Sequence, residues 1–379
     1  MQAHGHWVGT WATAPAPAEG VAFNNHTVRM TARISIGGDT LRLRLSNAHG
    51  DRKLTIGAAH LALRDSGPGI VPGSDRKLTF GGAEGATIAA GAPLVSDPVS
   101  LEVPAFAELA ISLYLPDEVP AGAVTGRYAR QTGYISPPGN FAAAVVMPVG
   151  ALTDQWFFLG GIDVLAGPQT GGVVALGDSL TDANISTLDA HCRWPDRLAR
   201  RLYERGGRPF GVMNAGLGGN RILHDIRGDS GLRRFDRDVL AQPGVTHAIV
   251  MLGTNDIRNR WKKPEEEVNA EQMIAGLKQM AVRAHSRGIK IFGATLTPFE
   301  NETFLPGAWT PEREKTRQEV NRWIREGGAF DAVVDFDAAL RDPEHPTRML
   351  PVYDCGDHLH PSDRGYLQMG ESIDLSLFD

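Results

Sequence analysis

Between Thr27 and Leu115 the apolar residues fall on alternate positions, in the runs "TVRMTARISI", "TLRLRLSN", "LTIGAAHLAL" and "ELAISLYL". Period two belongs to strands with one face buried. Turn formers separate the runs ("IGGD", "SGPG", "PGSD", "FGGAEG"), and no long stretch of helical spacing precedes Trp194. The pattern predicts an all-β, jelly-roll-like antiparallel sandwich over residues 1–167.

After "AGPQTGG" the pattern changes to short continuous apolar runs that alternate with segments of helical period. "GVVALGD", "THAIVMLG", "IKIFGAT" and "FDAVVDF" read as buried strands. "RWPDRLARRLYERGG" reads as a helix with Trp194, Leu198 and Leu202 on one face, and "PEREKTRQEVNRWIREGG" as another. "EEEVNAEQMIAGLKQMAVRAHSRG" predicts a helix with Met273, Ile274, Leu277, Met280, Ala281 and Ala284 inward and Gly288 as its stop. Strands buried on both faces and alternating with helices predict an α/β domain over residues 168–379, a parallel sheet with helices outside.

Composition narrows the function. The chain has 379 residues, 42% hydrophobic and 22% charged, with a formal net charge of -6. That length exceeds one ordinary core and suits two domains. The acidic balance excludes a nucleic-acid partner. The longest apolar stretch, "FAAAVVMPVGAL", is broken by Pro148 and Gly150 and is shorter than a membrane span, so no membrane partner is expected. The start, "MQAHGHWVGTW", carries no signal-peptide pattern, which leaves a cytoplasmic protein or the mature form of an exported one. The oligomeric state leaves no mark.

Two triplets offer a serine behind Gly-Asp: "GDSL" with Ser179 and "GDSG" with Ser230. Loops at the carboxyl ends of parallel strands line the usual ligand crevice, and Ser179 directly follows a strand. Ser230 follows the charged "RILHDIR" and reads as a surface turn or helix cap. A nucleophilic serine needs a base and donors for the oxyanion that follows. "CGDHLHPSD" places Asp357 three residues before His360, so one loop can carry a base and its orienting acid. Asp178 is expected to fix the strand-to-helix turn rather than to titrate. Asp357, His358 and His360 would alternatively form a metal cluster, but no further ligand motif accompanies them, and no metal or other cofactor is expected. Cys192 and Cys355 fall near these loops, which leaves open a single bridge pinning the loop of Asp357 and His360.

Taken in order, "GDSL", "NAGLGGN", "LGTND" and "DHLHP" resemble the SGNH hydrolases, the GDSL esterase and lipase family. The resemblance implies a flavodoxin-like sheet and a serine esterase. It implies a Ser179, His360 and Asp357 triad, with the Ser179 amide, the Gly219 amide and the Asn255 side chain as oxyanion donors. "GLGGN" departs from the family in the residue before the glycine, which leaves Gly218 open as an alternative to Gly219. "WVGTWATAP" and "SIGGDTLRLRLSNAHG" resemble a β-sandwich module of some members, which brings no catalytic residue. The implied substrate is a carboxylic ester, of small-molecule or carbohydrate type: a short-chain acyl or acetyl ester of a carbohydrate or aryl alcohol. Lysophospholipase, lipase or thioesterase activity is the alternative within the family. Outside it, the alternative is a carbohydrate-binding protein with a non-catalytic scaffold.

Overall fold

A computed structural model describes residues 5–17, 20–120, 128–183, 185–259, 263–305 and 307–379. Residues 1–4, where the segment read for an export signal starts, lie outside them. The chain forms two compact units, Met1–Thr170 with Leu188–Ala190, and Gly171–Thr187 with His191–Asp379.

The first unit is built from antiparallel strands in two main sheets. One runs His6–Ala12, Leu159–Ala166, Gly38–Ser46 and Pro93–Val95, with Val99–Val103 also on Gly38–Ser46. The other runs Ala151–Thr153, Gly133–Pro138, His26–Arg33, Glu108–Leu115, Ala58–Leu63 and Arg76–Lys77. Leu41, Leu43 and Leu45 from the first meet Val28, Met30, Ile111 and Leu113 from the second in one apolar core. The core joins alternate residues of facing sheets, as the period-two pattern requires. The run "LTIGAAHLAL", read as one strand, divides at Gly57. Leu54–Ile56 pairs with Ala86–Ile88, whereas Ala58–Leu63 pairs with Glu108–Leu115.

The second unit holds a five-stranded parallel sheet: β1 (Gly171–Gly177), β2 (Phe210–Gly216), β3 (Val245–Met251), β4 (Lys290–Ala294) and β5 (Ala332–Val334). Its strand order is β2-β1-β3-β4-β5, the flavodoxin-like arrangement, in which the switch point lies between β1 and β3. Val173, Val174, Ala175 and Leu176 of β1 are fully buried, which explains a continuous apolar run in place of alternation. Among the described residues no helix is long and apolar enough to cross a membrane.

The helices follow the strands. They are α1 (Ser179–Asp182), α2 (Trp194–Arg205), α3 (Gly231–Phe235), α4 (Thr254–Arg258), α5 (Ala270–His285), α6 (Pro311–Glu326), α7 (Phe336–Leu340) and α8 (Asp363–Ser372). Helix α5 starts later than the segment beginning "EEEVNAEQ" suggests. The Asn269 side chain accepts from the Gln272 amide while the Gln272 side chain accepts from the Asn269 amide, and this reciprocal cap sets the start. Met273, Leu277, Met280, Ala281 and Ala284 are buried; Ile274 lies at the edge of that face and is half-buried.

The carboxyl end of β2 sits directly against α1. A Cβ added at Gly216 would lie 2.3 Å from the Asp182 nitrogen and 2.7 Å from its Cα, both backbone atoms that cannot swing aside. Gly216→Ala should therefore force α1 off β2 and cost about 2 to 3 kcal/mol, the upper range for overpacking. A denaturant midpoint unchanged from the wild type would show that the two backbones are not in this contact.

Candidate active site

Ser179 begins α1 immediately after β1. The Asp178 carboxylate caps that helix by accepting from the Leu180 amide at 3.0 Å, which turns the chain sharply from strand to helix. Tucked into that turn, Ser179 is only 7% exposed.

The segment after β5 and α7 supplies the next two side chains. His360 Nε2 lies 3.0 Å from Ser179 Oγ, and His360 Nδ1 lies 2.6 Å from Asp357 Oδ2. An ionised carboxylate only accepts, so in the neutral ring Nδ1–H donates to Asp357 and Nε2 accepts from the serine hydroxyl. Burial pushes the Asp357 carboxyl up, but the His360 ring and the amides of His360 and Leu359 outweigh it and hold the group far below the usual carboxylate range. The same contacts keep Asp357 as the acceptor of the pair.

The loop bearing these residues is not cross-linked: Cys192 and Cys355 are not joined in a disulfide. The pinning that a bridge would have supplied comes from Asp354. Its carboxylate accepts from the Gly356 amide at 2.8 Å, the His358 amide at 3.0 Å and the His358 ring at 2.5 Å. The Cys355 amide closes the loop onto the His360 carbonyl. The same contacts turn His358 away from a shared cluster with Asp357 and His360. Among the described residues, the three ligand-type side chains whose atoms lie within 4.8 Å of one another are instead Asp354, Cys355 and Asp357.

The three donors the sequence singled out differ in occupancy. Ser179 and Gly219 present backbone amides with no hydrogen-bond acceptor among the described residues. Gly218 does not: its amide donates to Asp182 Oδ2 at 3.2 Å, which leaves Gly219 as the available donor of the pair. Gly219 has φ +81°, a conformation that suits glycine. Asn255, on α4 after β3, is buried. Its Nδ2 donates to Asp178 Oδ2 at 3.1 Å and to the Asn220 carbonyl at 3.2 Å, which ties the "LGTND" turn to the loops after β1 and β2. Asp256 reinforces the tie by accepting from the Ile222 amide at 2.8 Å.

Ser230 occupies the cap position of α3 but is buried rather than on the surface, and its side chain makes no capping bond. Its amide donates to Asp225. Pro298 and Phe299, which follow β4, are both buried.

A family model for the GDSL-like lipase/acylhydrolase family matches residues 175–367, the stretch that holds all of these side chains. The chain belongs to that family. This GDSL-like acylhydrolase is accordingly a carboxylic ester hydrolase. Among solved structures it is similar to a G-D-S-L family protein from Desulfitobacterium hafniense DCB-2, at 25% identity and TM-score 0.40 over 53% of this chain and 96% of that one. It is similar to a GDSL-like lipase from Bacteroides thetaiotaomicron VPI-5482, at 18% identity and TM-score 0.42 over 55% and 87%. It is also similar to a catalytic mutant of an acetylxylan esterase from Geobacillus stearothermophilus, at 21% identity and TM-score 0.41 over 53% and 91%. No curated protein matches the chain.

Several site residues of this acylhydrolase left no readable signal. Arg234 lies in "LRRFDRD", a stretch whose charge reads as surface, yet it is fully buried. It donates to the Gly177 carbonyl at 2.8 Å, the Ala215 carbonyl at 2.7 Å and Asn220 Oδ1 at 3.0 Å. Arg258 and Glu302 form a second buried pair beside Asn255. Asp178, Asp182 and Asp256 are all buried, and burial raises their carboxyls to about 6, about 7 and about 7. Nearby arginines oppose the shift without cancelling it.

The Asp182 shift has a sign that can be checked. The folded protein holds a proton on Asp182 that the unfolded chain releases near pH 4. Wild-type stability from this group therefore drains away as pH rises from about 4 to about 7, and is level beyond. Asp182→Asn keeps an acceptor for the Gly218 amide and does not titrate. The variant should thus gain on the wild type across that window. A stability difference flat with pH in chemical denaturation would rule out the raised carboxyl.

Proposed function

We propose that this acylhydrolase is a serine esterase acting through a Ser179–His360–Asp357 triad and an acyl-enzyme. The observation that carries the reading is the unbroken hydrogen-bond chain from Ser179 Oγ through both nitrogens of His360 to Asp357. Ser179 Oγ attacks the ester carbonyl carbon while Nε2 takes its proton, and the carbonyl π electrons move onto the oxygen. The Asp357 carboxylate stabilises the imidazolium that forms. The free amides of Ser179 and Gly219 receive the oxyanion, and the Asn255 side chain joins them by turning one of its two N–H groups from Asp178 or the Asn220 carbonyl. As the intermediate collapses the C–O bond breaks, and His360 gives its proton to the departing alcohol. Water, activated by the same ring, then hydrolyses the acyl-enzyme and restores Ser179.

The proposed substrates are short-chain acyl or acetyl esters whose alcohol is an aryl group or a sugar. Phe304 supports this class: its ring is half exposed and stands edge-on to His360, with centroids 5.9 Å apart. An apolar ring beside the base suits an aryl group or the C–H face of a sugar.

Two measurements test the proposal. Ser179→Ala should lose nearly all esterase activity while Ser230→Ala stays within about threefold of wild type, since a missing triad member leaves only residual rate. Fluorophosphonate labelling at Ser230, or turnover by the Ser179 variant, would overturn the assignment. Phe304→Ala should lower kcat/KM for p-nitrophenyl acetate about tenfold relative to ethyl acetate, as expected when an aromatic contact is lost. An equal fall for both esters would remove Phe304 from substrate recognition.

A further inference from the structure

We infer that Arg258 and Glu302 are a positioning pair that orients and polarises the Asn255 amide for the oxyanion, an inference that rests on the proposed role of Asn255. Arg258 Nη1 donates to Asn255 Oδ1 at 3.0 Å. A guanidinium has donors only, so it fixes the amide oxygen on its own side and leaves Nδ2 turned toward Asp178 and Asn220. Drawing electron density onto the amide oxygen makes the N–H groups stronger donors, an effect enhanced where water is excluded. Arg258 is 2% exposed, so this is such a place.

Glu302 keeps the cation there. Its Oε1 accepts from Arg258 Nε at 3.0 Å and Nη2 at 2.8 Å, so the guanidinium plane cannot rotate. Its Oε2 accepts from the Leu305 amide at 3.1 Å, which locks the carboxylate in turn. A buried arginine without this partner would carry an uncompensated charge. Each of the three guanidinium nitrogens therefore donates to one of two acceptors, one of them the amide that the reaction needs.

The rival account is a salt bridge that merely fastens segment 301–305 to α4. The two differ in coupling. Arg258→Met with Glu302→Leu removes both charges together and avoids a stranded one. The paired replacement is to be made in the wild type and in Asn255→Ala, with kcat and KM for p-nitrophenyl acetate and a thermal melt recorded for each. The expected result is a roughly tenfold loss of kcat in the wild-type background, KM within about twofold, and a loss below about twofold in Asn255→Ala, the size usual for directly coupled groups. An equal loss in both backgrounds, or a change in KM alone, would overturn the inference and leave the oxyanion reading standing. Asn255→Ala is itself expected to lose about 10² to 10³ in kcat; if it keeps kcat, the oxyanion reading fails and this inference with it. If the paired variant does not melt cooperatively, Arg258→Lys, which keeps the charge but not the fork, is put through the same comparison and decides it by the same criterion.

Discussion

The active-site geometry hangs on one buried guanidinium. A carbonyl oxygen has two lone pairs, and at the carboxyl ends of β1 and β2, paired as far as Gly177 and Gly216, the Gly177 oxygen already accepts from the Leu217 amide. Arg234 adds a clamp across these two strand ends by donating to Gly177 and Ala215, and it reaches Asn220 with its third nitrogen. Ser179 lies two residues beyond Gly177, and Gly219 lies in the loop that Asn220 closes. The separation of the nucleophile from the glycine amide is thus held by the strand ladder together with the fixed span of a planar fork. Asp238 accepts from the same side chain and offsets its charge.

Around that fork the site is assembled from ionised and polar groups that are buried and almost entirely bonded to one another. Asp178 illustrates the economy: one oxygen caps α1 and the other holds Asn255, so the turn that presents the serine also anchors the asparagine. Such networks are expensive to desolvate and are tolerated when every member is satisfied. Their yield is rigidity at the positions where charge develops during ester cleavage.

What could be read in the sequence follows a physical divide. Period two over Thr27 to Leu115 and the apolar runs of β1, β3 and β4 announce the antiparallel sandwich and the parallel sheet, because burial of one face or of two is written directly in side-chain type. Ser179, Asn255, Asp357 and His360 are legible as candidates through short motifs placed after a strand or in a loop, and the fold brings Ser179, His360 and Asp357 into one hydrogen-bonded chain. Arg234, Arg258 and Glu302 were not, since a charged side chain in a charged stretch looks the same whether it faces water or a buried carbonyl. The start of α5 was misjudged because a reciprocal cap at Asn269 and Gln272 overrides an acidic run that is compatible with helix. Proximity of the two cysteines to one set of loops was a weak guide, and Asp354 turned out to hold the loop instead.

Three consecutive residues after β4 each touch a different part of the machinery. Glu302 holds Arg258, Thr303 donates its amide to the Asp357 carbonyl at 2.9 Å, and Phe304 rests its ring against His360. The segment therefore has little room to vary as an ordinary surface loop does. An insertion or deletion there shifts the register of all three contacts at once, so a loop-grafting campaign aimed at new ester preferences would trade substrate choice against turnover at nearly every step. Altering the ring at position 304 while leaving the backbone length untouched is the narrow route by which this scaffold can diversify.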